Sequence, residues 1–261
     1  MQTLRGVAAS DGDGVQLTRL IGSPELDMLD PFLMLDSFAS DNPGDYIGGF
    51  PEHPHRGFET VTYMLAGTMQ HKDNAGHKGV ISAGGVQWMT AGRGILHSEM
   101  PEQVDGLMHG FQLWVNLPAK DKMLPPAYQE FSAEDIPVEV FEGGSIRVIS
   151  GVTAAGTVGA VKGTATNPLY LDVFLNSTFK QDILKGHNGF IYVIDGEISG
   201  VPAGHIGVFG KGTHVALSGK GRFLLIAGAQ LNEPVARGGP FVMNTKAEIL
   251  QAFSDYKSGR F

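Results

Sequence analysis

Two three-residue motifs, His53-Pro54-His55 and His97-Ser98-Glu99, restrict what this chain can fold into more than any other feature of it. Each places two potential ligands one residue apart, and on a β-strand residues i and i+2 project from the same face. Two such strands side by side converge three imidazoles and one carboxylate on one point. That set suits a divalent transition metal, because imidazole binds iron, copper, nickel and zinc and the carboxylate adds a hard anionic ligand. One HxH in a chain of nine histidines is a weak signal. The second pair strengthens it, as do the flanks Gly48-Gly49-Phe50-Pro51 and Gly92-Arg93-Gly94-Ile95-Leu96, apolar surroundings in which unpaired polar groups would be costly to bury.

The rest of the chain agrees with a β-architecture. Its 261 residues include 37 glycines and 14 prolines, and few stretches have helical periodicity, so many short strands joined by tight turns are expected. The length suits two moderate domains or one large all-β domain. Cysteine is absent, which excludes disulfides and thiolate chemistry and is compatible with a reducing compartment. No apolar run approaches the ~18 residues of a membrane span, and Met1–Gly6 lacks the apolar core of a signal peptide, so a cytoplasmic protein is expected. A formal net charge of −8 without a basic cluster argues against direct nucleic-acid binding.

If the strand carrying His53 and His55 continues, Glu59, Val61, Tyr63 and Leu65 share the parity of the histidines, while Phe58, Thr60, Thr62 and Met64 face away. The metal would then sit at one end of a mostly apolar interior. Pro54 cannot donate to a ladder, which predicts a strand start or an edge. The stretch from Ala119 to about Pro137 breaks the strand pattern and marks the domain boundary, giving a metal-binding domain over 1–125 and a second β-domain over 126–261. Strand signals in the latter lie at 138–141, 146–149, 169–175, 190–196 and 222–228. Thr245-Lys246-Ala247-Glu248 reads as a capping box opening a helix with Ile249, Leu250, Phe253 and Tyr256 on one face.

The remaining histidines take plainer readings. His187, His205 and His214 lack an HxH or HxE partner, so no second metal site is expected there. His71 and His77 flank a turn and are expected at the surface, whereas His109 shares the parity of Phe111 and Leu113 and is expected in the core. Trp88, Trp114, Phe58 and Met64 are expected as core residues.

The runs from His53 to Leu65 and from Gly85 to Glu99, with Leu29–Asp36 upstream and Gly239–Thr245 downstream, resemble the pirin family of the cupin superfamily. The resemblance spans nearly the whole chain. It implies an all-β bicupin, two antiparallel β-sandwich or barrel domains with a short C-terminal helix, and one mononuclear metal in the N-terminal barrel. The ligands it implies are His53, His55, His97 and Glu99. Glu59 also stands at the spacing of a common cupin glutamate ligand, but Glu99 lies on the parity of His97 and is preferred, leaving Glu59 as a carboxylate behind the ligands or a paired core residue.

The same resemblance implies a quercetin 2,3-dioxygenase-like enzyme that cleaves flavonols with dioxygen, with Glu99 as both ligand and proton acceptor. Fe(II) is the expected metal, while Cu, Ni, Zn, Mn or Co would also suit these donors. The alternative it carries is a metal-dependent, redox-responsive regulator that binds a protein partner. A monomer is expected.

Overall fold

The computed structural model describes residues 1–261. The chain is mostly β-strand, with one α-helix, Lys246–Lys257, and no helix long and apolar enough to cross a membrane. The strand signals at 138–141 and 169–175 match strands with those bounds, and the other three fall inside longer strands.

The chain divides into two compact units that do not follow a single cut near 125/126. One contains residues 8–19, 32–133 and 231–261, the other 1–7, 20–31 and 134–230. Backbone pairing explains the exchange. Ala127–Phe131, beyond the expected boundary, hydrogen-bonds along Val86–Thr90, and Gln2–Arg5 at the opposite end of the chain pairs with His205–Val208.

The unit that carries both histidine motifs is built on two sheets. The larger has seven strands, ordered Ala127–Phe131, Val86–Thr90, Phe58–Ala66, Met108–Asn116, Phe32–Ser40, Val15–Ile21 and Val7–Asp11. The smaller has four, ordered Phe50–His55, Ile95–Pro101, Met69–Asp73 and Lys78–Ile81. Pro54 therefore lies on an edge strand, where its missing N–H costs no ladder bond.

The strand of His53 and His55 does not continue into the next one. Gly57, at φ +89°, turns the chain from the small sheet into the large one, and a Cβ there would strike the Val242 carbonyl. The turn resets the alternation. Of the residues expected to face away from the histidines, Phe58 packs on His55 and Thr62 meets Glu99, while Glu59 falls on the other parity.

The second unit is a nine-stranded sheet whose interior is filled by aliphatic and aromatic side chains, among them Val148, Leu171, Ile191, Phe223 and Leu225. In this unit His205 bonds the Ala203 carbonyl and His214 is exposed.

The helix begins as the capping box requires: Thr245 Oγ1 accepts from Glu248 N, and the Glu248 carboxylate accepts from Thr245 N. Its inward face is Ile249 and Ala252, with Phe253 and Tyr256 at the margin. Leu250 points outward at 70 % exposure, since it lies about 100° around the helix from Ile249.

Candidate metal centre

His53 and His97 are register partners on adjacent strands, with His55 two residues along from His53. Their Nε2 atoms converge: His55 Nε2 and His97 Nε2 each lie 3.0 Å from His53 Nε2. All three donor atoms fall within 4.8 Å of one another, a group that can hold a metal ion. Neighbouring ligands on an octahedral ion with bonds of about 2.1 Å stand about 3.0 Å apart, against about 3.4 Å on a tetrahedral one. The two spacings from His53 match the octahedral value.

The protonation states fit the same role. His53 Nδ1 lies 2.8 Å from the Pro51 carbonyl and, as the protonated nitrogen, donates to it, which leaves the Nε2 lone pair facing the cluster. His55 and His97 are buried, and burial, reinforced by the neighbouring imidazoles, holds both well below the usual histidine range. The Nε2 atoms of three imidazoles thus converge on one point. A divalent ion at that point would take all three as ligands, with the ring protons on the Nδ1 atoms.

Glu99 is buried on the His97 strand, on the same parity, but it is not brought into the three-histidine group. Its Oε1 lies 2.8 Å from Thr62 Oγ1, and its Oε2 accepts from Gln112 Nε2 at 3.0 Å. Both partners are neutral. Glu59 is also buried, accepts from Thr90 Oγ1 at 2.8 Å, and is pushed up by burial against the pull of Thr90 and Trp88.

The interior is more polar than expected. Cross-strand register lines up Gln112, Thr62, Gln87 and Glu130 across the large sheet. Opposite them, His71 is the register partner of Glu99 in the small sheet. His71 Nε2 lies 2.6 Å from Glu130 Oε2, and Gln87 donates to the same oxygen at 3.0 Å. Only His77 lies at the surface as expected, with its side chain 62 % exposed and Nδ1 2.8 Å from Asp73 Oδ2; His71 is two residues before that turn, on the inward parity of its strand.

Trp88, Phe58 and Met64 are core residues, whereas Trp114 is half-buried with its ring edge-on to His55 at 5.1 Å and tilted against Phe58 at 4.3 Å. His109, expected in the core, is half-buried near Phe111. The alternation Gln112-Leu113-Trp114 carries the signal for two of the inward groups. It becomes readable once the turn at Gly57 sets the phase of the neighbouring strand.

Residues 14–115 match the pirin family, and residues 170–261 match the pirin C-terminal cupin domain. A pirin-like protein of Caulobacter vibrioides is 51% identical, with 100% of this chain and 98% of that protein covered. The chain belongs to the pirin family. Human pirin is 46% identical over 96% of this chain and 89% of its own length. Among solved structures, a quercetin 2,3-dioxygenase from Acinetobacter baumannii superposes with a TM-score of 0.90 at 34% identity, covering 100% of this chain and 97% of the other. The all-β architecture with two cupin domains and a short helix is that of a bicupin pirin.

Proposed function

We propose that this pirin is a metal-dependent dioxygenase that cleaves flavonols such as quercetin, with one divalent ion, Fe(II) foremost, held by His53, His55, His97 and Glu99. The observation that carries this reading is the convergence of the Nε2 atoms of His53, His55 and His97 on one point. Its likeness to the Acinetobacter baumannii quercetin 2,3-dioxygenase supports the choice of reaction. Glu99 as fourth ligand is supported by its parity with His97 and by its burial among neutral partners, where a carboxylate is costly unless a cation balances it.

When bound, the metal supplies a Lewis-acidic centre with open positions and access to dioxygen chemistry. Three imidazoles and one carboxylate leave a divalent centre near +1, a charge that one deprotonated hydroxyl neutralises. Glu99 is the base placed to take the proton of a flavonol 3-hydroxyl, and Thr62 and Gln112 hold its two oxygens in orientation. His53 is half-buried where His55 and His97 are buried, so the cluster opens on the His53 side. Trp114 offers a half-buried aromatic face beside His55 for a planar substrate.

Oxygen uptake by metal-loaded protein tests the proposal. Quercetin should consume dioxygen and release carbon monoxide, and a flavone lacking the 3-hydroxyl should do neither. No uptake with any flavonol across several metals, at confirmed occupancy, would favour the regulatory reading, in which metal oxidation state alters a protein-binding surface.

A further inference from the structure

Residues 236–261 follow the second cupin domain's strands in sequence but pack on the unit that holds the histidines, against the turn after His55 and the turn before His97. On the first turn, Val242 N donates to the Arg56 carbonyl at 3.0 Å, and Phe241 bridges Arg56. The buried Lys122 ammonium ties the same pieces together, donating to the Gly57 carbonyl at 2.8 Å, the Val242 carbonyl at 3.0 Å and Asn116 Oδ1 at 2.7 Å. Beside this contact the His55 Nδ1 is buried without a hydrogen-bond partner, and the backbone of Pro240 is close enough to act on the ring.

Arg56 is the centre of the contact. It is 3 % exposed, its Nη1 bonds Asp255 Oδ2 on the helix at 2.7 Å, and its guanidinium lies 4.4 Å from the Phe261 ring centroid. Its Nε donates to the Arg93 carbonyl, which links it to the second turn. Phe261 reaches that turn as well. Its ring covers Gly94, where a Cβ would come within 2.9 Å of it, and its carbonyl accepts from Asn74 Nδ2 at 3.1 Å. Asn74 in turn bonds both the N–H and the carbonyl of Leu96, the neighbour of His97.

We propose that residues 236–261 form a clasp on the metal centre, in which Asp255 and Phe261 act through Arg56 and Asn74 as positioning residues for His55 and His97, and so set how fast the metal leaves. The proposal rests on the three histidines being the metal site. Groups behind metal ligands fix ring orientation and tautomer, and their loss costs roughly 10–100-fold in affinity. A metal at His55 Nε2 would leave the ring proton on the buried Nδ1, beside the Pro240 backbone. Coupling of this kind is reciprocal, so bound metal must also hold the clasp closed.

The test uses the full chain loaded with cobalt(II), with release into excess chelator followed by loss of its visible absorption. Asp255→Asn keeps the shape and removes the charge facing Arg56, and should release cobalt about 10-fold faster or more, with circular dichroism confirming that the variant is folded at the assay temperature. Asp255→Glu should restore part of the loss. Arg260→Ala is the control, since Arg260 also bonds Asp255 but does not touch Arg56, and it should leave release unchanged. In parallel, hydrogen exchange of the 246–257 helix amides should slow when cobalt binds. Release from Asp255→Asn at the wild-type rate, or helix exchange indifferent to metal, overturns the clasp while leaving the site intact. Wild-type protein that takes up no cobalt, nickel or iron overturns the site, and the clasp with it.

Discussion

Thr62 on the large sheet and Glu99 on the small one face each other across the interior, Oγ1 to Oε1, at 2.8 Å. The same hydroxyl lies 2.7 Å from Gln112 Oε1, yet it has one proton to give. Gln112 already donates its amide to Glu99 Oε2, which fixes its carbonyl toward Thr62. A carboxylate oxygen is a stronger acceptor than an amide oxygen, so Thr62 gives its proton to Glu99.

Thr62→Val keeps the shape and removes that donor. Metal affinity should fall roughly 10-fold, at the lower end of what a lost partner of a ligand costs. Thr62→Ser should retain it. Competition against a chelator of known affinity checks both, and an unchanged affinity in Thr62→Val would mean that Glu99 needs no help to reach the metal.

The two glutamates should separate in the same assay. Glu99→Gln loses the anionic charge and the basicity, so metal binding should weaken and turnover fall steeply. Glu59→Gln should do neither, and its effect should appear in stability. Burial raises the Glu59 pKa above its ordinary 4.5, so the stability tied to its proton is present below that value and is lost as pH rises through the folded pKa. The melting point of Glu59→Gln minus that of wild type should therefore grow as pH rises from about 4.5 and then level off. A difference that shrinks with pH would show Glu59 to be stabilised as a carboxylate.

The convergence of His53, His55 and His97 was legible because HxH and HxE on strands need only local alternation to share a face. Most strands were legible for the same reason, with glycine and proline marking their ends. Parity carried across Gly57 failed, since a positive φ there sends the next strand into the other sheet and exchanges Thr62 for Glu59. The exchange of segments between the two units was not legible either. Ala127–Phe131 and residues 236–261 are placed by partners far away in sequence, Val86–Thr90 and Arg56, and no local pattern names a distant partner.

On the helix, a four-residue apolar set hides which neighbour turns inward. Ile249 is 7 % exposed and Leu250 70 %. Ile249→Ala should cost about 2–4 kcal/mol, as large-to-small changes in a core do, while Leu250→Ser should stay within about 0.5 kcal/mol. Chemical denaturation of the metal-free protein measures both, and a large loss in Leu250→Ser would place a partner on the outer face.

Acid should act on the centre through His55 and His97. Both are held well below the ordinary 6.5 by burial, so between that value and their folded pKa the unfolded chain binds protons that the folded one refuses. Stability rises with pH wherever the unfolded state holds more protons, so the metal-free protein should lose stability as pH falls below about 6.5. Metal at the same nitrogens excludes protons more strongly, and the loaded protein should keep its melting point further into acid before releasing metal and protein stability together. His97→Ala removes one of these groups, and its metal-free form should show a shallower decline. Melting curves of metal-free wild type and His97→Ala between pH 7.5 and pH 5 on the order of half-unit steps decide it. Parallel declines would mean that His97 titrates in the folded protein much as it does in the unfolded chain.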